Sequence, residues 1–160
     1  MTAGTIDQAH YRQVLGHFPT GVTVVAGLDG DEPVGLAVGS FFSLSIDPPL
    51  VGFCVGRSSN SWARMESSGS FCVNVLGAEQ EDVCRVFASS GDDKFATVGW
   101  SPAETGSPVI DGVLAWVDCD VEDVHDGGDH HIVIGRVRGL GVGDEGDPLV
   151  FFRGGYANLR

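Results

Sequence analysis

The sequence predicts a mainly β protein, an antiparallel barrel or sandwich with a few flanking α-helices. Three observations predict it. Seven short runs are rich in β-branched and aromatic residues. Asp-Gly pairs punctuate those runs, within a chain that carries 24 glycines in 160 residues. Only three short stretches show apolar residues at helical spacing.

In chain order, the first helix is expected over Ile6–Leu15. Tyr11, Val14, Leu15 and Phe18 recur there at helical spacing, and Thr5 with Gln8 resembles a capping box. Strands over Gly21–Leu28 and Val34–Leu44 flank Asp29-Gly30, a hairpin signal. Asp47-Pro48-Pro49 forms a rigid turn into a strand over Leu50–Val55. A second helix over Ser61–Ser67 puts Trp62 and Met65 on one face, with N-cap candidates in Ser58, Ser59, Asn60 and Ser61.

A strand over Ser70–Leu76 precedes the third helix, Ala78–Ala88. Glu79, Glu81 and Asp82 near its start and Arg85 near its end suit the helix dipole, and Val83, Val86 and Phe87 are expected to face inward. Strands over Val113–Val121, His131–Leu140 and Leu149–Phe152 complete the set, with Asp111-Gly112 and Asp126-Gly127 as further hairpin turns. No linker divides the chain, so residues 1–160 are expected to form one domain.

Charge narrows the function. Nine Lys and Arg stand against 22 Asp and Glu, a net charge of −13. Such a surface repels phosphodiester backbones and anionic lipid, so neither nucleic acid nor a membrane is an expected partner. Asp7, His10 and Arg12 break up the N-terminal stretch, so no signal peptide is read there and the expected location is the cytoplasm. The weakly charged run Pro33–Gly56 contains Asp47, Pro48 and Pro49 and is no membrane span. The cysteines Cys54, Cys72, Cys84 and Cys119 form no CxxC pair and read as free thiols, mostly buried.

Two familiar motifs fail on context. Gly141-Val-Gly143-Asp-Glu-Gly146 spells a dinucleotide fingerprint, but Asp147-Pro148 and a strand follow it, not a helix. His125, His130 and His131 lie near Asp123, Asp126 and Asp129. Adjacent His130 and His131 would point to opposite faces of a strand, so no metal site is expected.

Three segments suggest ligand chemistry. At Val55-Gly-Arg-Ser-Ser-Asn-Ser61-Trp62 a strand ends, hydroxyls cluster and a helix begins. With Arg57 this fits either a phosphate cradle or plain N-capping. Lys94-Phe95 places one of few cations just past a helix, which taken alone reads more readily as a solvated lysine than as a ligand group. The small residues of Gly35 to Ser40 let a flat ligand approach the backbone, and Phe41 and Phe42 supply apolar walls.

Longer pieces carry a resemblance. They are Phe18-Pro-Thr-Gly-Val-Thr-Val24, Gly35-Leu36 through Ser40, Phe42-Ser-Leu-Ser-Ile-Asp-Pro-Pro-Leu50, Phe71-Cys-Val-Asn-Val-Leu76, Lys94-Phe95, Gly128-Asp-His130 and Pro148-Leu-Val-Phe-Phe-Arg-Gly-Gly-Tyr156. In this order and spacing, from about Tyr11 to Tyr156, the chain resembles the short-chain flavin reductases. Those are FMN-binding split barrels that serve as reductase components of two-component flavin-dependent monooxygenases.

The resemblance implies an antiparallel split β-barrel of six or seven strands that works as a homodimer. It implies transfer of hydride from NAD(P)H to FMN or FAD, and since no arginine cluster in the sequence suggests a 2′-phosphate site, NADH is favoured over NADPH. Free reduced flavin would then reach a separate monooxygenase component. It also implies roles. Val38, Gly39 and Ser40 would meet the isoalloxazine edge, beside Phe41. Ser58, Ser61 and Lys94, followed by Phe95, would hold the flavin phosphate, and Asn74 would lie near the flavin. His130, preceded by Asp129, would position the nicotinamide, and Phe152 and Tyr156 would pack near the site.

Where the family often has Thr-Ala-Asn-Ser, this chain has Ala37-Val38-Gly39-Ser40, which removes side-chain hydrogen bonds at 37 and 39. Hydride transfer between two cofactors needs no catalytic triad, and none is visible. The acidic chain is expected to hold flavin weakly and exchangeably. Two other readings are an FMN-dependent oxidase of a small substrate on the same barrel and a non-catalytic flavin-binding protein.

Overall fold

In the computed structural model, which describes residues 4–159, seven strands form one antiparallel sheet in the order β3-β2-β6-β9-β10-β5-β4. They are β2 (Thr23–Asp29), β3 (Glu32–Val38), β4 (Phe42–Ser45), β5 (Leu50–Gly56), β6 (Ser70–Val75), β9 (Ala115–Gly127) and β10 (His130–Val142). A three-stranded sheet joins β1 (Thr20–Gly21), β11 (Val150–Phe152) and β12 (Gly155–Ala157), and β7 (Trp100–Pro102) pairs with β8 (Pro108–Ile110). The helices are α1 (Gln8–Leu15), α2 (Asn60–Glu66) and α3 (Glu81–Ala88). Residues 1–3 and 160 of the expected domain lie outside the described residues.

The sheet curls until its ends approach. Just past β3, the Ser40 hydroxyl bonds the backbone of Cys54 in β5. β3 and β5 are not neighbours in the strand order, so a side chain bridges the seam between them. The interior holds Val25, Phe53, Phe71, Val73 and Val133, and α2 adds Trp62 and Met65. Phe53 meets Phe71 edge-on at 5.1 Å and Trp62 at 5.7 Å. β10 passes close over Phe71: a Cβ on Gly135 would lie 2.5 Å from that ring.

A second core lies outside the barrel, where Val22, Val24 and Leu76 pack against Cys84 and Phe87 of α3 and against Ile110, Val113 and Leu149. Val24 and Val25 therefore point into different cores, and β2 reads as an unbroken apolar run because both its faces are covered.

Several sequence expectations are corrected. The run Val34–Leu44 is two strands at opposite ends of the sheet, because the chain leaves β3 at Gly39 and crosses to β4. Asp7 caps α1, its carboxylate accepting from the Ala9 amide at 3.0 Å, in place of a Thr5–Gln8 box. No residue of α1 is buried, and Tyr11, Val14 and Leu15 are exposed. The third helix opens as a 3-10 turn over Ala78–Gln80, and Cys84 and Phe87 are its buried residues.

The β9–β10 turn is Gly128-Asp129, two residues beyond Asp126-Gly127, with Gly128 at φ +73°. Asp111-Gly112 leads from β8 to β9 without pairing them. The cysteines are free; Cys72, Cys84 and Cys119 are buried and Cys54 is half-buried. Among the described residues no helix is long and apolar enough to cross a membrane.

Candidate functional site: a trough from Lys94 to His130

Three cavities adjoin along one side of the seam. The first, about 400 Å³, lies between β3, the Ser58–Ser61 loop and the segment after α3 that carries Lys94. The second, about 310 Å³, is floored by Leu36 to Ser40 and walled by Cys54, Ser59 and His130. It shares Leu36, Ala37 and Ser59 with the first. The third, about 740 Å³, shares Cys54 and His130 with the second and extends beneath Tyr11 and Arg12 of α1.

Lys94 defines one end. Its Nζ donates to the Phe87 carbonyl at 3.0 Å, the Gly35 carbonyl at 3.3 Å and Ser61 Oγ at 3.4 Å. All three acceptors are neutral. Burial pulls its pKa below the ordinary lysine value, and the Asp92 carboxylate, which lines the same cavity, opposes that shift from a distance without bonding to it. Ser58 and Ser61 line the same cavity, and among the described residues the Ser58 hydroxyl has no partner. Ser59 is the N-cap, accepting from the Trp62 amide at 3.2 Å. Capping accounts for Ser59, Ser58 is left for a ligand, and Ser61, which accepts from Lys94, keeps its hydroxyl proton to donate. Phe95 lines this cavity too and stacks edge-on with Phe87 at 4.9 Å.

His130 defines the junction with the third cavity. Its Nδ1 lies 2.7 Å from Asp129 Oδ1. That contact holds the Asp129 carboxyl below its usual range. An ionised carboxylate only accepts, so Nδ1 carries the proton and Nε2 is left for a ligand. Between the ends, Val38, Gly39 and Ser40 offer backbone, because the Ser40 hydroxyl is engaged by Cys54.

The remaining expected residues lie elsewhere. Phe41 lines an apolar cavity of about 700 Å³ with Leu15, Phe18 and Phe42, on the far side of Gly39 and Ser40, which it shares with the second cavity. Tyr156 lines a cavity of about 250 Å³ behind Ala37 to Gly39. Its hydroxyl is 3.2 Å from Cys84 Sγ, and its pKa is pushed up to about 12, first by that bond and then by burial. Phe152 lies edge-on to His17 at 6.3 Å and lines none of these cavities.

Asn74 is fully buried. Its amide donates to the carbonyls of Val24, Cys72 and Pro108, and its Oδ1 accepts from the Ile110 amide. Those bonds tie β2, β6 and β8 together and turn the side chain away from any ligand.

Sequence reasoning missed Arg12 and misdirected Arg57. Arg12 has no carboxylate partner among the described residues, whereas Arg64, Arg85, Arg136 and Arg138 are each paired. A signal existed: Gln8, Tyr11 and Arg12 share a helix face at i, i+3 and i+4 and line one cavity. Arg57 turns away from the hydroxyl loop toward Gly128 and Asp126. Among the described residues, no cluster of three or more His, Cys, Asp or Glu could hold a metal.

Comparison with known proteins identifies the family. Residues 15–160 match the model of the flavin reductase like domain. The chain belongs to that family. It is 51% identical to a flavin reductase of Pseudomonas putida over 155 residues, 96% of this chain and 91% of that protein. It is 48% identical to the reductase subunit HsaB of a flavin-dependent monooxygenase from Rhodococcus jostii, over all of this chain and 82% of that one.

Among solved structures of the same kind, the nitrilotriacetate monooxygenase component B of Mycobacterium thermoresistibile superposes with a TM-score of 0.94 at 49% identity. It covers 96% of this flavin reductase family member and 87% of that chain. The NADH:FAD oxidoreductase of Streptomyces globisporus, solved with NAD and FAD fragments, superposes with a TM-score of 0.91 at 37% identity, over 99% and 98% of the two chains.

Proposed function

We propose that this chain is an NADH-dependent flavin reductase, the reductase component of a two-component flavin-dependent monooxygenase. One observation carries the reading: adjoining cavities that share Leu36, Ala37 and Ser59 lead from the half-buried Lys94 ammonium to a histidine oriented by its neighbouring carboxylate. Flavin bound there supplies the hydride acceptor, and NADH supplies the hydride.

The protein's part is to bind and align. Lys94, Ser58 and Ser61 hold the flavin phosphate, and the backbone of Val38, Gly39 and Ser40 lies along the ring edge. Phe95 supports the phosphate end and Phe41 walls the far side of the strip. Asp129 fixes the tautomer of His130, whose Nε2 is offered to the nicotinamide. Arg12, across the third cavity, is placed to meet the dinucleotide phosphates. Among the described residues Arg12 is the one arginine lining the third cavity, which makes no cluster for a 2′-phosphate and favours NADH over NADPH.

Residues 1–160 act as one domain, in the cytoplasm and as a homodimer. The apolar cavity beside Leu15 and Phe18, with Phe18 76% exposed, is the face a second copy covers. FMN and FAD both remain acceptable at the phosphate end.

The test is NADH oxidation by purified protein in air with added FMN, with added FAD, and with neither. Fast turnover only with added flavin is the expected result. No turnover with either flavin, using NADH or NADPH, removes the reading in favour of an oxidase or a passive flavin binder.

A further inference from the structure

Arg57 opens the loop that carries Ser58, Ser59 and Ser61, yet its guanidinium serves another element. Nε donates to the Gly128 carbonyl at 2.7 Å and Nη2 to Asp126 Oδ1 at 2.7 Å, while the Arg57 amide donates to the Asp129 carbonyl at 3.1 Å. One residue thus grips three positions of the β9–β10 turn. His130 follows directly and pairs with Gly56, the residue before Arg57.

The ladder pairings of His130 with Gly127 and Gly56 hold the strand beside the turn, and Arg57 supplies the side-chain contacts to the turn itself. Residues 125–130 are all exposed, so no apolar packing fixes it. Gly128 holds a left-handed backbone that a free Gly-Asp turn would leave readily. The grip is also a poor source of stability. The Arg57 and Asp126 side chains are 42% and 85% exposed, and exposed ion pairs add little. What a planar fork across a backbone carbonyl and a carboxylate supplies is geometry.

We propose that Arg57 is a positioning residue: it fixes the His130 turn to the flavin-phosphate loop, so nicotinamide alignment is set by the element that holds the flavin. The proposal rests on the flavin reductase reading above.

The test compares wild type, Arg57→Met, Arg57→Lys, His130→Ala and the Arg57→Met/His130→Ala double variant. It reads kcat and KM for NADH, the flavin dissociation constant, and Tm. Arg57→Met is expected to lower kcat/KM for NADH on the order of tenfold or more, as small misplacements of a reacting group do. Its flavin dissociation constant and Tm stay near wild type, and Arg57→Lys recovers part of the loss. In the His130→Ala background, Arg57→Met adds little further loss, because both act through one group.

Three results overturn the proposal: wild-type kcat/KM in Arg57→Met, an equal further loss in the His130→Ala background, or a collapsed Tm that makes Arg57 a fold element. A wild-type protein that oxidises no NADH with either flavin refutes the underlying reading instead. An active wild type matched by Arg57→Met refutes only the role of Arg57.

Discussion

The Ser40 hydroxyl donates to the Cys54 carbonyl at 3.1 Å and accepts from the Cys54 amide at 2.8 Å. A single side chain thereby stands in for one rung of a ladder between β3 and β5, at the floor of the trough. Ser40→Ala leaves both backbone groups of Cys54 without that partner. Ser40 is exposed, so water replaces part of the loss, and a cost of about 1 kcal/mol is expected. For a chain of this size Tm falls by roughly 2–4 °C. Hydrogen exchange at the Cys54 amide should rise; unchanged exchange and Tm would remove the staple.

Asn74 separates a structural role from a cofactor role. Asn74→Ala strands the Ile110 amide and three carbonyls in a buried site. A loss of roughly 2–4 kcal/mol is expected in chemical denaturation. Flavin affinity of the folded protein stays constant. Weakened flavin binding at unchanged stability would restore Asn74 to the flavin's surroundings.

Lys94→Met is expected to weaken FMN binding roughly ten- to a hundredfold, the range for one charge-assisted bond to phosphate. Riboflavin, which has no phosphate, should bind both proteins alike. The pH dependence follows from burial, which puts the Lys94 pKa below 10.5 in the flavin-free protein. Phosphate binds the ammonium form, so affinity is flat at neutral pH and falls as pH climbs past that lowered pKa. Titration of FMN and riboflavin from neutral to alkaline pH checks it, with riboflavin controlling for ionisation of the ring. Matching profiles for the two ligands would contradict the assignment.

His130→Ala should raise KM for NADH or slow flavin reduction roughly tenfold while leaving the flavin dissociation constant in place. Stopped-flow reduction under anaerobic conditions separates the two effects. Unchanged kinetics would take His130 out of the site.

Phe18→Glu places a charge on the face where Leu15, Phe18 and Phe42 surround an apolar cavity. Sedimentation velocity should show wild type as a dimer and the variant shifted to monomer. A monomeric wild type refutes the homodimer.

Much of the barrel was legible because its strands are short, β-branched and bounded by turn residues. The seven expected runs correspond to strands of the main sheet or to β11, and the Asp29-Gly30 hairpin stands where expected. Ser58, Ser61 and Lys94 were joined by the family resemblance, since the residues alone set the hydroxyls beside Arg57 and left Lys94 apart; the three line one cavity.

What failed was long-range. Val34–Leu44 looks continuous because nothing local marks where the chain leaves one end of the sheet for the other. The apolar spacing of α1 looks like a core-facing stripe, yet none of its residues is buried. Arg57 looked like a phosphate ligand because its partners, Asp126 and Gly128, are some 70 residues away. Asn74 was placed by motif, and only the packing of β8 shows where its amide goes.

The four free thiols bear on the working life of such a protein. Reduced flavin that meets oxygen before reaching a partner yields hydrogen peroxide, so a reductase of this kind operates beside a source of its own oxidant. Peroxide attacks thiolates. Burial raises the pKa of Cys72, Cys84 and Cys119, with Cys119 pushed up to about 12, which favours the thiol over the reactive thiolate at all three. Cys54 alone borders the trough, half-buried beside His130. Oxidative ageing should therefore begin at the one cysteine whose backbone Ser40 holds in place.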